Sequence, residues 1–194
     1  MSKAEAWRRQ TQAYRYYRAS GLRPWTMVEG GPLDFDRNPL YAAQRDAMAP
    51  LAAFPLELNT RFFAGGRVTR HVRVFNDSFT DAELAFVWTF GVTGQGNATG
   101  RVPVRLAPCQ FKELEYAVEV PAATERTDAS LTLSLVRGQD VVYEQKLNCT
   151  VWPREPLATA PKGAVLFDPN RATAKLLGAG WQRIDSLAAV PPEA

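Results

Sequence analysis

Histidine occurs once in this chain of 194 residues, at His71, and cysteine twice, at Cys109 and Cys149. That scarcity excludes a zinc site built on Cys and His, which needs several such ligands in close spacing. The two cysteines sit on candidate strands of one sandwich and could meet. Two cysteines alone do not make a disulfide framework, so buried free thiols are the expectation. No apolar run reaches the roughly 18 residues of a membrane-spanning helix, and the polar N-terminus lacks the apolar segment of a signal peptide. Neither sign of charge dominates: 23 Lys and Arg stand against 20 Asp and Glu, a net +3. Arg8, Arg9, Arg15 and Arg18 crowd the first segment, but no basic run marks a nucleic-acid patch. Neither nucleic acid nor a membrane is therefore expected as a partner. The glycine-rich stretch from Gly91 to Gly96 lacks the strand-to-helix setting and the lysine of a phosphate loop, so it reads as a hairpin loop. No cofactor is expected. Asn97-Ala98-Thr99 and Asn148-Cys149-Thr150 fit the glycosylation pattern, which matters only in a eukaryotic secretory route.

What the chain has is hydrophobic material, 46% of its residues, in two kinds of pattern. At the N-terminus the period is helical. Ser2 with Glu5 three residues on is a capping-box pattern, Trp7, Thr11, Tyr14 and Tyr17 form a stripe, and Gly21 is the expected stop. Leu22–Val28 reads as a short buried strand, broken by Glu29-Gly30-Gly31-Pro32. Asn38 as N-cap and Pro39 as first helical residue open a second helix, whose apolar face is Leu40, Ala43, Ala47 and Met48, with Pro50 as its stop. A single strand needs neighbours to pair its backbone, so this helix-strand-helix reads as a piece of a larger α/β fold.

From Phe54 the period becomes two. Leu56, Leu58, Thr60 and Phe62 alternate, then Val68 to Val74, Ala82 to Phe90, Val102 to Leu106 across Pro103, Leu114 to Val120, Leu131 to Leu135, and Tyr143 to Val151. Pro103 marks an edge strand, and Arg137-Gly138-Gln139-Asp140 a hairpin turn. These seven candidate strands over about 100 residues predict a mainly β protein, an immunoglobulin-like sandwich. Trp88 is expected as the keystone of its core, since a buried tryptophan removes about 200 Å² from water. His71 falls on the polar parity of its strand and reads as a surface or interface histidine. After the prolines at 153, 156 and 161, Gly163–Pro169 reads as a strand, Arg171–Leu177 as a helix and Trp181–Ile184 as a further strand, the opening βα unit of a doubly wound fold. The expected organisation is thus 1–52 helix-strand-helix, 53–153 sandwich, and 154–194 linker with an α/β unit.

Three runs carry a resemblance. AYRYYRASGLRPWTMVEGG (13–31) with NPLYAAQRDAMAP (38–50) resembles the last helix-strand-helix of the catalytic (β/α)₈ barrel in multidomain glycoside hydrolases of the family 2 or β-galactosidase-like kind. RFFAGGRVTRHVRVFNDSF (61–79) resembles the start of the immunoglobulin-like domain that follows the barrel, and GAVLFDPNRATAKLLGAG (163–180) the first βα unit of a flavodoxin-like or amidotransferase-like domain. The resemblance implies that Trp25 to Gly31 borders a sugar site, since barrel sites lie at the C-terminal ends of strands. It places Trp25 as an aromatic platform under a pyranose and Glu29 as an acceptor for hydroxyls. It carries over no catalytic residue: the paired carboxylates that glycoside hydrolysis needs belong, in the relatives, to strands upstream of the matching helix. It therefore implies a non-catalytic accessory region, with carbohydrate as ligand of the intact parent. The alternative is a free-standing sandwich that binds a protein or glycan through exposed aromatics. Trp7, Tyr14, Trp25 and Trp181 are expected to leave apolar surface at the two ends and so to favour contact with other domains or self-association.

Overall fold

A computed structural model describes residues 2–19, 35–154, 160, 163–171, 173, 177 and 180–190. Two compact units emerge, residues 1–153 and residues 154–194.

The first unit opens with helix α1 (Lys3–Tyr16). Its N-cap is Ser2, whose hydroxyl accepts from the Glu5 backbone N–H. The reciprocal half of the expected capping box is replaced: the Glu5 carboxylate binds Arg8 and Arg9 instead. The helix ends at Tyr16, earlier than Gly21, with Tyr17 as its C-cap. Its buried stripe is Thr11, Gln12 and Tyr16, while Tyr14 and Tyr17 are exposed. The aromatic stripe read from the sequence is thus rotated, because it is arginine and glutamine side chains that reach the sandwich. Helix α2 (Pro39–Ala47) starts as expected. The Asn38 side chain accepts from the N–H groups of Leu40 and Tyr41, and Pro39 sits where no N–H is needed. Leu40, Ala43, Gln44 and Ala47 face inward, and Met48 lies out.

Eight strands follow among the described residues of this unit: β1 (Leu51–Pro55), β2 (Arg61–Phe63), β3 (Arg67–Asn76), β4 (Ala82–Val92), β5 (Asn97–Leu106), β6 (Gln110–Glu119), β7 (Thr127–Arg137) and β8 (Asp140–Trp152). They form a three-stranded sheet, β1-β3-β6, and a five-stranded sheet, β2-β8-β7-β4-β5. Pairing is antiparallel except for β2, which runs parallel to β8. The protein is mainly β, and the expected count of seven becomes eight: β1 precedes the alternating run Leu56–Phe62, and only the end of that run forms a strand, β2. Residues 56–60 belong to neither strand, although Leu56 N–H still donates to His71 O and Thr60 O still accepts from Thr150 N–H, and Leu56 and Leu58 are exposed. The cause lies in β3, described below.

The core is made by one face of each sheet. Val72, Val74, Leu114 and Val118 of the smaller sheet meet Phe86, Phe90, Leu131, Leu133 and Leu135 of the larger. Phe86 packs edge-on against Tyr116, and Phe62 against Phe90. Trp88 has the core parity but is only partly buried, so the keystone aromatics of β4 are Phe86 and Phe90. Trp88 lies toward the open side of the sandwich, between Tyr116 and Gly100 of the edge strand. Strand β5 is an edge, paired only with β4, and carries Pro103 opposite Ala85. The Gly91–Gly96 stretch is the β4–β5 hairpin, with Gly94 at φ 77°, a left-handed conformation that glycine adopts without cost. A β-bulge between Leu135 and Val136 precedes the β7–β8 turn at Gly138. Both cysteines are free thiols. Cys149 is buried on β8, whereas Cys109 is exposed in the β5–β6 turn rather than buried.

In the second unit, β9 (Val165–Phe167) and β10 (Gln182–Ile184) pair in parallel, as a βα unit requires. The Asp168 carbonyl accepts from Arg183, and Arg183 also pairs with Asp185. The helix expected over 171–177 lies largely outside the described residues.

Candidate functional site

Trp25 and Glu29, the residues expected to meet sugar, lie outside the described residues. What is described is how the two helices flanking their segment are held. Helix C-termini end in carbonyls with no partner inside the helix and carry partial negative charge. Here each helix end is met by an arginine. Arg73 of β3 donates to the carbonyl of Tyr16, the last residue of α1, and its guanidinium lies 4.3 Å from the Tyr16 ring centroid. Its other branch binds the Glu113 carboxylate at 2.6 Å. Arg15 of α1 donates in turn to the carbonyl of Ala47, the last residue of α2, at 2.5 Å, and to Ala49 O at 3.0 Å. It also pairs with Asp77 at 2.7 Å and lies over the rings of Phe54 and Phe75. The sandwich thus caps α1, and α1 caps α2.

Polar contacts reinforce this seam. Gln12 and Gln145 exchange side-chain amide hydrogen bonds at 3.1 and 3.4 Å, and the Tyr143 hydroxyl donates to Gln145 Oε1. The Tyr16 hydroxyl donates to Glu113 at 3.1 Å. Arg73, and then Tyr16, hold the Glu113 carboxyl below its ordinary range. Burial, aided by the bond to Glu113, pushes the Tyr16 phenol up to about 12.

A second group explains why most of the first predicted strand is a loop. Arg70 points into the sandwich, buried over the Phe62 ring, and its guanidinium donates to the carbonyls of Glu57 and Asn59. Those carbonyls are therefore taken from any ladder. On the outer face, the Glu57 carboxylate accepts the His71 backbone N–H at 2.9 Å and contacts His71 Nδ1 at 2.7 Å. Glu115, opposite His71 in register, stands 3.6 Å from Nε2. His71 is the half-exposed residue its parity implies. Its hydrogen bond to Glu57 raises its pKa. Burial works against the Glu57 charge, but the two hydrogen bonds from His71 outweigh it and hold the carboxyl below the ordinary range. No group of three or more His, Cys, Asp or Glu placed to hold a metal ion occurs among the described residues.

The third feature is a cleft of about 520 Å³ between α2 and the start of β8, lined by Tyr41, Gln44, Met48, Pro50, Val142 and Glu144 among others. Gln44 was missed in the sequence, although its position offered a signal. It occupies the i+4 position of the stripe Leu40–Ala43–Gln44–Ala47, where an apolar residue is the rule. Arg70 carried a similar signal, a charged residue on the inward parity of β3. Glu57 had none, because its role depends on a loop leaving the sheet.

No protein-family model matches this chain, and no curated protein matches it. Among solved structures, it is similar to a glycosyl hydrolase family 2 member from Bacteroides cellulosilyticus DSM 14838, at 15% identity and TM-score 0.39, over 51% of this chain and 15% of that one. It is similar to a β-glucosidase from Listeria innocua in complex with gluconolactone, at 10% identity and TM-score 0.42, over 53% of this chain and 16% of that one. A β-glucuronidase from glycoside hydrolase family 2 aligns at 8% identity and TM-score 0.38, over 53% of this chain and 11% of that one. The chain therefore spans less than a fifth of the length of each.

Proposed function

We propose that this chain is a non-catalytic accessory region of a glycoside hydrolase, in which the sandwich buttresses a sugar-binding segment. The observation that carries the reading is the relay of helix caps, Arg73 on Tyr16 and Arg15 on Ala47. It holds the helices on either side of the 20–34 segment, where Trp25 and Glu29 lie. An aromatic platform works only at a set height under a sugar ring, and flanking helices capped by a β-sandwich meet that need. The resemblance of 13–31 and 38–50 to the end of a hydrolase barrel supplies the substrate class.

The test is an assay of the whole chain on nitrophenyl glycosides, with sugar binding followed by calorimetry. No turnover is expected, and Trp25→Ala should abolish the binding that this segment supplies. Turnover that survives Glu29→Gln would overturn the reading.

One observation favours a second reading, an interaction module. Phe63 and Trp152 are exposed and adjacent in the β2–β8 register, and Arg126 lies over the Trp152 ring. Loss of partner binding or of self-association in Phe63→Ser, with sugar binding at the 20–34 segment absent, would favour it.

A further inference from the structure

We propose that the outer face of the five-stranded sheet is the contact surface of a symmetric dimer, its occupant a second copy of this chain, with Arg101 of each copy opposite Glu144 of the other. The inference uses no residue of 20–34, and neither Phe63 nor Trp152, so it stands apart from both readings above.

The two central strands of that sheet, β4 and β7, turn one face to the core and the other outward. The outward side chains are all short: Val87, Thr89 and Gly91 on β4, Ser130, Thr132 and Ser134 on β7. No long side chain rises from this strip, so a second sheet can stack on it at the usual spacing of about 10 Å. Long charged side chains flank it: Arg101 on β5, and Glu144 and Lys146 on β8, all exposed.

The strand register sets the charges in order. One row across the sheet reads Arg101, Val87, Ser134, Glu144. Its two charges stand three strand spacings apart, roughly 14 Å, too far to pair within one copy. Arg101 has no ion pair among the described residues, and Glu144 receives only the Ser134 hydroxyl. A two-fold axis along the strands, midway between β4 and β7, turns the row end for end. Arg101 then faces Glu144 of the second copy, and the symmetry forms that ion pair twice. Rotation permits no sliding along its axis, so the neighbouring rows are matched as well. Asn97 meets Asn148, two side-chain amides that both donate and accept. Thr89 meets Thr132, and Lys146 meets Thr99 at the rim, where its long chain reaches water.

Size sets the strength. Four strands by seven residues make a patch of roughly 450 Å² per copy, against about 800 Å² per partner in a standard stable complex. The dimer is therefore weak and populated at high protein concentration.

The experiment is sedimentation equilibrium of the whole chain from micromolar to millimolar concentration. The wild type should follow a monomer–dimer equilibrium that weakens with added salt. Arg101→Glu and Glu144→Arg, each at an exposed position, should weaken dimerisation about tenfold or more by setting like charges opposite. The two substitutions combined restore opposite charges across the interface and should recover most of the affinity. Thr132→Arg, at the centre of the face and away from the β5 edge, should abolish the dimer, and Phe63→Ser should leave it intact. The charge-reversal set keeps the test open if Thr132→Arg fails to fold. A monomer at millimolar concentration would overturn the proposal. So would a dimer indifferent to a folded Thr132→Arg, as pairing along the β5 edge would be, or single reversals that their combination does not rescue. Loss of the dimer in Phe63→Ser would also overturn it, assigning self-association to the Phe63–Trp152 pair.

Discussion

The guanidinium of Arg73 lies over the ring of Tyr16 and donates to the carbonyl of that same residue. One strand side chain thus stacks on the last residue of α1 and caps the helix that it ends. Glu113 completes the arrangement by accepting from both partners.

Replacing Arg73 by Lys should therefore cost more than loss of one surface charge pair. A lysine retains the charge but cannot stack, cap the helix and bind Glu113 together. The expected loss is about 2–3 kcal/mol in urea unfolding, on the scale of hydrogen bonds to charged groups. Hydrogen exchange should show α1 opening before the sandwich in this variant. Unchanged protection of α1 would refute the capping role.

Trp88 and Gly100 give a second prediction. A Cβ at position 100 would come within 2.5 Å of the Trp88 indole. Gly100→Ala should then displace the indole or the edge strand, costing about 1–3 kcal/mol, and should alter Trp88 fluorescence. Because Trp88 is only partly buried, Trp88→Ala should weaken the sandwich without unfolding it, whereas Phe86→Ala should cost about 3–5 kcal/mol. A greater loss from Trp88→Ala than from Phe86→Ala would contradict this ranking.

The Glu57–His71 pair should give stability a pH window. The folded pKa of His71 is raised, so its contribution is full below the unfolded value, 6.5, and fades as pH rises through the folded value. The folded pKa of Glu57 is lowered, so its contribution is full above 4.5 and fades as pH falls through the folded value. Between these limits both are present. The melting temperature of the wild type should exceed that of His71→Gln by most in this window, and the difference should shrink toward alkaline pH. A pH-independent difference would argue against the pair.

The two thiols should react at different rates. Exposed Cys109 should modify rapidly with a disulfide reagent, while Cys149 should wait for unfolding, since burial both hides its thiol and raises its pKa. Two fast thiols would show that β8 opens in the native state.

Strand β5 has an unpaired edge, and Arg101, Pro103 and Arg105 lie along it. Such charges and prolines blunt edges against pairing with other chains. The double substitution Arg101→Val, Pro103→Val should promote self-association, visible by analytical ultracentrifugation. A monomer at high concentration would mean that the edge is protected by other means.

How far the molecule could be read from its sequence depends on the range of the interactions involved. The start of α2 was legible because Asn38 and Pro39 act within one helical turn. The edge character of β5 was legible because Pro103 removes a donor wherever it stands. The break between β1 and β2 was not legible. Leu56, Leu58, Thr60 and Phe62 alternate as a strand should, but Arg70, distant along the chain, takes the carbonyls of Glu57 and Asn59. The burial of Tyr16 in place of Tyr14 and Tyr17 was hidden for the same reason, since the choice among adjacent tyrosines is made by Arg73 and Glu113 on other strands.

By itself, then, the amino-acid sequence determined where α1 and α2 start, the mainly β class and the alternation that separates core from surface, because those follow from local caps, turns and side-chain period. Only the tertiary structure decided which aromatics fill the core, where the first strand breaks, and that the arginines cap helices. Those outcomes depend on groups far apart in the chain, whose meeting is set by the pairing and stacking of the sheets.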